Sequence, residues 1–290
     1  MSKLNRYGIQ ALILSFLCIS RVYAFDLYHF IDWRDYTNSQ GKKVTTQSKS
    51  EFDDFLKSQN IKRFNLFYMS SLITNHQVDP KKIKKAVEIA NQTPSVPVCF
   101  DIETGTESHV ETTLPLLLDA LKMYRDFGGI APIGVYGVLP EITPNTYLSE
   151  TQKDYFRHMN DKYEELANHV DYLFPTLYFY SLDDMKVWDA KAEFSIAEAK
   201  RFAKNREIKI LPFLSTSTWV FPEPNTFKIK PLSEVDMLHS LKYLKNLGAD
   251  GVMLWEGPLK TQNNPVIFDV NKKSFKAIVK FAKQYGGGAN

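Results

Sequence analysis

Cysteine is nearly absent from this chain. Two occur in 290 residues, Cys18 and Cys99. Cys18 falls in an N-terminal apolar stretch of targeting type, so the remaining chain cannot form an internal disulfide and must rely on its core. No glycine-rich phosphate loop follows the first apolar run, which removes the main support for a dinucleotide-binding fold. The six histidines are scattered, with none of the spacing of a metal site, so neither metal nor cofactor is expected. Charge of one sign is not in surplus either.

The segment at the start has its own grammar. Lys3 and Arg6 precede "ALILSFLCIS", which is too short to cross a bilayer, and "RVYA" offers Val22 and Ala24 at the small-residue positions. Residues 1–24 therefore read as a secretory signal peptide, with residues 25–290 as the exported domain, secreted or periplasmic, with no membrane span after cleavage. The whole chain holds 36 basic and 33 acidic side chains. Lys3, Arg6 and Arg21 all lie in the leader, so the domain is balanced at 33 of each. The sequence pI of 8.6 belongs to the precursor and is no sign of a nucleic-acid partner. Oligomeric state is left open.

What the chain does have is alternation. Apolar runs such as "FDLYHFIDW", "RFNLFYMS", "VPVCFDIE", "IGVYG", "YLFPTLYFY", "IKILPFLST" and "GVMLWEG" are separated by amphipathic stretches near 51–58, 79–91, 112–126, 151–168, 190–205, 232–247 and 272–285. Leu114, Leu117, Leu118, Leu121 and Tyr124 keep helical spacing, and Ser233 with Asp236 makes a helix-start pair. Strand–helix alternation of this kind, with strands apolar on both faces, predicts a parallel sheet covered on both sides. The expected fold is α/β: a single (β/α) barrel, distorted, of seven or eight parallel strands. "KKIKKAVEIA" reads as a solvated helix face.

One stretch is chemically expensive. In "VPVCFDIETG", Asp101 and Glu103 fall on the same face of an extended chain, while Val98, Phe100 and Ile102 take the other. Two carboxylates side by side repel unless one holds a proton or a ligand lies between them. The same parity pairs Gly134 with Tyr136, Thr176 with Tyr178 and Met253 with Trp255. Asp101, Glu103, Tyr136, Tyr178 and Trp255 would thus point inward near the C-terminal ends of barrel strands, where catalytic groups gather in this architecture. Acids with aromatic rings suit a sugar: the rings stack on it and the acids move protons at the glycosidic oxygen. Trp219, in the long connection 217–231, frames the same end.

At these residues the sequence resembles the hyaluronidases. "FDIE" resembles their paired-acid D-x-E strand, "GVYGVLP" their G-x-Y-G-x-P segment, "LFPTLYF" their L-x-P-S-x-Y strand and "LGADGVMLWEG" their L-G-A-D-G ending, in the same order over residues 96–257. It departs from them at "TGTESHVE", which has no arginine, at "LPFLSTSTW", which has no tyrosine, and in lacking their disulfides. The N-acetylhexosamine subsite is carried over and the uronic acid partner is not.

The resemblance implies a retaining, substrate-assisted glycoside hydrolase acting on an N-acetylhexosamine-containing polysaccharide or glycan. Glu103 would be the general acid and then the base, with a pKa raised by Asp101 and partial burial. The substrate's own acetamido oxygen would be the nucleophile. Asp101 would orient that amide, Tyr178 would hydrogen-bond it, Trp255 would form an apolar floor and Tyr136 would line the subsite. Two alternatives stand beside this reading. One is a sugar-binding barrel at a cell surface or host interface with weak or no turnover. The other is a glycosidase with an enzyme nucleophile, Asp32 or Glu256, either of which would then contact substrate.

Overall fold

The computed structural model describes residues 24–31, 35–37, 42–45, 49–104, 109–144, 146–180, 184–220, 228–256 and 268–286. Seven strand positions alternate with seven helices. In chain order the strands are Asp26–Ile31, then Lys62–Arg63 continuing as Asn65–Tyr68, then Val98–Asp101, Ile133–Tyr136, Tyr172–Phe174, Lys209–Ile210 continuing as Phe213–Leu214, and Gly251–Glu256. Every neighbouring pair is parallel, and the seventh returns to the first with Asp26 opposite Gly251. The hydrogen-bonded ladder is divided into two sheets, with breaks at Phe64 in the second strand and at Leu211–Pro212 in the sixth. Chain continuity across both breaks carries the order round in a ring, the distorted barrel expected from the alternation.

The helices are α1 (Lys49–Ser58), α2 (Pro80–Ala90), α3 (Val110–Asp126), α4 (Glu150–Lys162), α5 (Met185–Ala203), α6 (Glu234–Asn246) and α7 (Lys273–Tyr285). The starts follow capping chemistry. Asp79 accepts from the backbone of Lys81 and Lys82, Ser149 forms a reciprocal capping box with Gln152, and Ser233 accepts from Asp236. α5 begins five residues before the expected 190 because Asp184 caps it there. On α2, Ile83, Ala86, Val87 and Ala90 face inward, Lys81, Lys84 and Lys85 are exposed, and Lys82 donates to the carbonyls of Ser70 and Ile73.

The core is two apolar layers. One packs the outward strand faces against the helices and includes Val98, Phe100, Ile102, Leu117, Leu121 and Trp188. The other fills the ring and includes Tyr28, Phe64, Cys99, Tyr136, Phe174, Tyr178, Phe213 and Met253. The period-2 parity of the third strand sorts its residues between them: Val98 and Phe100 lie outside, Cys99 inside. Gly134 is required by the crowding in the ring, because a Cβ there would lie 2.4 Å from the carbonyl oxygen of Tyr172. Phe25 is buried; its amide donates to the carbonyl of Tyr285 at 3.1 Å and its ring meets Phe281 edge-on at 5.4 Å.

Candidate active site

Asp101 is the last residue of the third strand, and Glu103 lies just past it on the same face. Both line a cleft of about 370 Å³ at the C-terminal end of the ring. Tyr136 closes the fourth strand, Tyr178 follows the fifth and Trp255 stands near the end of the seventh, and all three line the same cleft. Trp219 joins them from Ser217–Val220, a rim strand paired with Phe179–Tyr180 and Lys228–Pro231. Residues far apart in sequence converge because each sits at the same end of a parallel ring.

The aromatic groups form a connected wall. Tyr136 and Tyr178 have ring centroids 6.4 Å apart. Tyr178 is 5.8 Å from Trp255, Trp255 stacks on Trp219 at 6.4 Å, and Trp219 meets Tyr180 edge-on at 6.2 Å. Burial pushes the phenols of Tyr136, Tyr178 and Tyr180 up, with Glu103 adding to the effect at Tyr136 and Tyr180. They remain neutral hydrogen-bond donors throughout the physiological range.

The acid pair is unequal, and the inequality differs from the sequence expectation. Asp101 is half-buried, and burial together with the charge of Glu103 raises its pKa to about 7. Glu103 is exposed. The partial burial expected at Glu103 is found at Asp101 instead. The physical reason is depth: the strand ends at Asp101, and Glu103 already stands in the open cleft. Below about pH 7 the deeper Asp101 carboxyl therefore holds a proton in the free protein.

Glu256 does not line the cleft. It follows Trp255 on the opposite strand face, is buried, and is paired with Lys272. The same ammonium donates to Thr216 Oγ1 and Ser217 Oγ, each at 2.9 Å. Glu256, expected to contact substrate, thus lies outside this cleft, with its Oε1 on Lys272 and its Oε2 buried without a hydrogen-bond partner among the described residues. Asp32 lies outside the described residues, as do residues 105–108 of "TGTESHVE" and residues 1–23.

The sequence reading missed Leu66, Tyr68, Met69, Ser70, Tyr180 and Phe213, which complete the cleft lining. Tyr68 and Tyr180 had a signal: each shares parity with an inward residue two positions earlier, Leu66 and Tyr178. Beneath Tyr180, the buried ammonium of Lys191 lies 5.9 Å from the ring, and burial lowers its pKa to about 8. Among the described residues no group of three His, Cys, Asp or Glu side chains gathers as for a metal ion, and no helix is long and apolar enough to cross a membrane.

No protein-family description matches the sequence, and no curated protein is similar to it in sequence. Solved structures are similar to it in fold. Bee venom hyaluronidase superposes with a TM-score of 0.52 at 14% identity, covering 90% of this chain and 97% of that one. The spore cortex-lytic enzyme SleL of Bacillus megaterium gives 0.51 at 10% identity, covering 92% of this chain and 68% of that one. The architecture they share with this chain is a TIM-type (β/α) barrel. At these identities the likeness is one of fold, and chemistry has to be argued from the side chains.

Proposed function

We propose that this protein is a glycoside hydrolase that cleaves an N-acetylhexosamine-containing glycan with retention, using the substrate's acetamido group as nucleophile. One observation carries the reading. Asp101 and Glu103 are the only carboxylates among the described residues that line the aromatic cleft, and they stand two residues apart at the end of one strand. An acid and a separate enzyme nucleophile must flank the sugar from opposite faces, about 5–5.5 Å apart across the bond. Neighbours on one face cannot do that, so one of them serves the substrate's own nucleophile.

The roles follow from depth and donor type. Glu103, exposed toward solvent, protonates the leaving oxygen and then activates water. Asp101 holds the proton in the free protein. A sugar seated on the cleft displaces water from Glu103, which favours its neutral form, and the proton passes to it from Asp101. The Asp101 carboxylate left behind orients the amide and stabilises the positive charge that develops on the oxazoline-like ring. Tyr178, a neutral donor, binds the acetamido oxygen, and Trp255 floors the sugar with Trp219 beside it. The cage selects for an apolar methyl next to a hydrogen-bonding amide.

We further propose that the chain is exported and cleaved after Ala24. Ala24 is exposed, and Phe25 is already locked to Tyr285 and Phe281, so a cut there leaves the domain's first buried residue in place. Mass spectrometry of exported protein should give an N-terminus at Phe25; an intact Met1 refutes it.

The central test is turnover of N-acetylated oligosaccharides, followed by NMR of the anomeric product. Retention, inhibition by a thiazoline analogue and no cleavage of de-acetylated substrate are expected. Inversion, or a covalent sugar adduct on a carboxylate, overturns the mechanism. Binding without turnover replaces it with a sugar-binding role.

A further inference from the structure

The two tryptophans that floor the cleft come from different sheets. Trp255 lies on the seventh barrel strand, Gly251–Glu256, and Trp219 on the rim strand Ser217–Val220. The rim strand pairs with Phe179–Tyr180 and Lys228–Pro231 and, among the described residues, shares no ladder with the seventh strand. The rings nevertheless stack at 6.4 Å, 28° from parallel. Backbone pairing does not set that spacing, so side chains have to.

One side chain reaches both sheets. Lys272, at the start of α7, sends its ammonium to Glu256 Oε1, Thr216 Oγ1 and Ser217 Oγ, the last two at 2.9 Å. Three acceptors match the three N–H bonds of an ammonium. Glu256 follows Trp255 directly, and Ser217 precedes Trp219 by two positions, about 7 Å of extended chain. The anchors are sheltered: Thr216 is 0% and Ser217 3% exposed. Ser215 fixes the same corner by donating to the carbonyl of Ser217 at 2.5 Å.

Stability does not account for this cluster. A buried ion pair often gains nothing over apolar side chains of the same volume. Here the carboxylate also keeps Oε2 buried without a hydrogen-bond partner among the described residues, which adds a desolvation cost. What an ammonium supplies and an alkyl group does not is direction, because it holds three points at hydrogen-bond length. Those points belong to the two strands that carry the stacked rings. A binding surface ordered before the ligand arrives loses less freedom when it binds.

We propose that Lys272 is a positioning residue for the substrate: its ammonium ties the end of the seventh strand to the rim strand and so presets the Trp219–Trp255 surface on which the sugar stacks. The inference rests on the reading of the cleft as a sugar site. Lys272 does not itself line the cleft. It acts through the two rings, and its loss weakens sugar binding even where the fold survives.

Two variants of the full chain cut the tie in different ways. Lys272→Met/Glu256→Leu removes both charges together. Thr216→Val/Ser217→Ala keeps the ion pair and removes its hold on the rim. Near-ultraviolet circular dichroism reads the stacked rings with no ligand present, and Trp219→Phe protein identifies their shared band by its loss. Both variants should lose most of that band while remaining folded by far-ultraviolet spectra and a cooperative melt. In a Trp219→Phe background neither should change the spectrum further. Calorimetry with chitotetraose should show affinity about threefold to tenfold weaker, the scale of one aromatic contact. A folded variant with an unchanged band overturns the proposal whatever its Tm, as does a lost band with unchanged affinity. If Lys272→Met/Glu256→Leu does not fold, Thr216→Val/Ser217→Ala alone must give the stated result, and its failure to fold as well makes the cluster a determinant of the fold and overturns the proposal. Wild-type protein that binds no chitotetraose, with the band lost in the variants, sinks the sugar reading of the cleft and leaves the tie between the rings intact.

Discussion

The indole N–H of Trp255 donates to the hydroxyl of Tyr68 at 3.1 Å, joining the end of the seventh barrel strand to the end of the second. The bond sets the tilt of the ring that floors the cleft. The first strand lies between those two, so the contact bridges over it at the rim.

Tyr68→Phe removes the acceptor and keeps the ring. The bond is exposed enough for water to replace it, and a neutral hydrogen bond is worth about 0.5–1.5 kcal/mol. KM should rise about threefold with kcat little changed. A larger loss in kcat than in binding would mean that Tyr68 acts on the reaction itself.

Glu103→Gln should lower kcat by at least about a hundredfold and leave KM near wild type, because the amide keeps shape and polarity but cannot donate the proton to the leaving oxygen. Steady-state kinetics on an N-acetylated oligosaccharide would show it. Retained turnover means that Glu103 is not the acid.

The acid pair also sets a pH dependence. The free protein is competent with one proton on the pair, and Asp101 gives that proton up at about pH 7. The profile of kcat/KM should therefore fall as pH rises through about 7. A flat profile from pH 6 to 9 contradicts the shared proton.

The same shift has a consequence for stability. Asp101 binds its proton more tightly folded than unfolded, so between its ordinary value near 4 and about 7 the native state holds more protons. The favourable contribution is complete below pH 4 and is lost as pH rises through about 7. Asp101→Asn, which cannot ionise, should raise Tm at pH 8 more than at pH 5 while lowering kcat. Thermal melts of both proteins at the two pH values decide this. An equal shift at both sinks the argument.

Lys272 is the counter-ion of a buried carboxylate. Lys272→Ala should destabilise the protein by about 3–5 kcal/mol, since it strands Glu256 and frees two hydroxyl contacts. Lys272→Met combined with Glu256→Leu should recover most of that loss in urea unfolding. A single-variant loss below about 1 kcal/mol would place the pair among weak surface bridges.

Sequence alone determined the order of elements and the face of each strand residue. The spacing of apolar groups is local physics: a period of two sorts Cys99 and Asp101 from Val98 and Phe100, and a period of 3.6 gives each helix its buried stripe. That was enough to bring Asp101, Glu103, Tyr136, Tyr178 and Trp255 to one end of a barrel. The same parity sets Glu256 on the face opposite Trp255. What it could not decide depends on which ends meet and how deeply each lies. Tyr68 reaches Trp255 only because the ring returns the seventh strand beside the first, a pairing between residues 187 positions apart. Asp101 keeps its proton up to about pH 7 because desolvation depends on the walls contributed by other strands. Parity is a property of neighbouring residues, whereas burial and charge balance are properties of the assembled barrel, and they exist only once it forms.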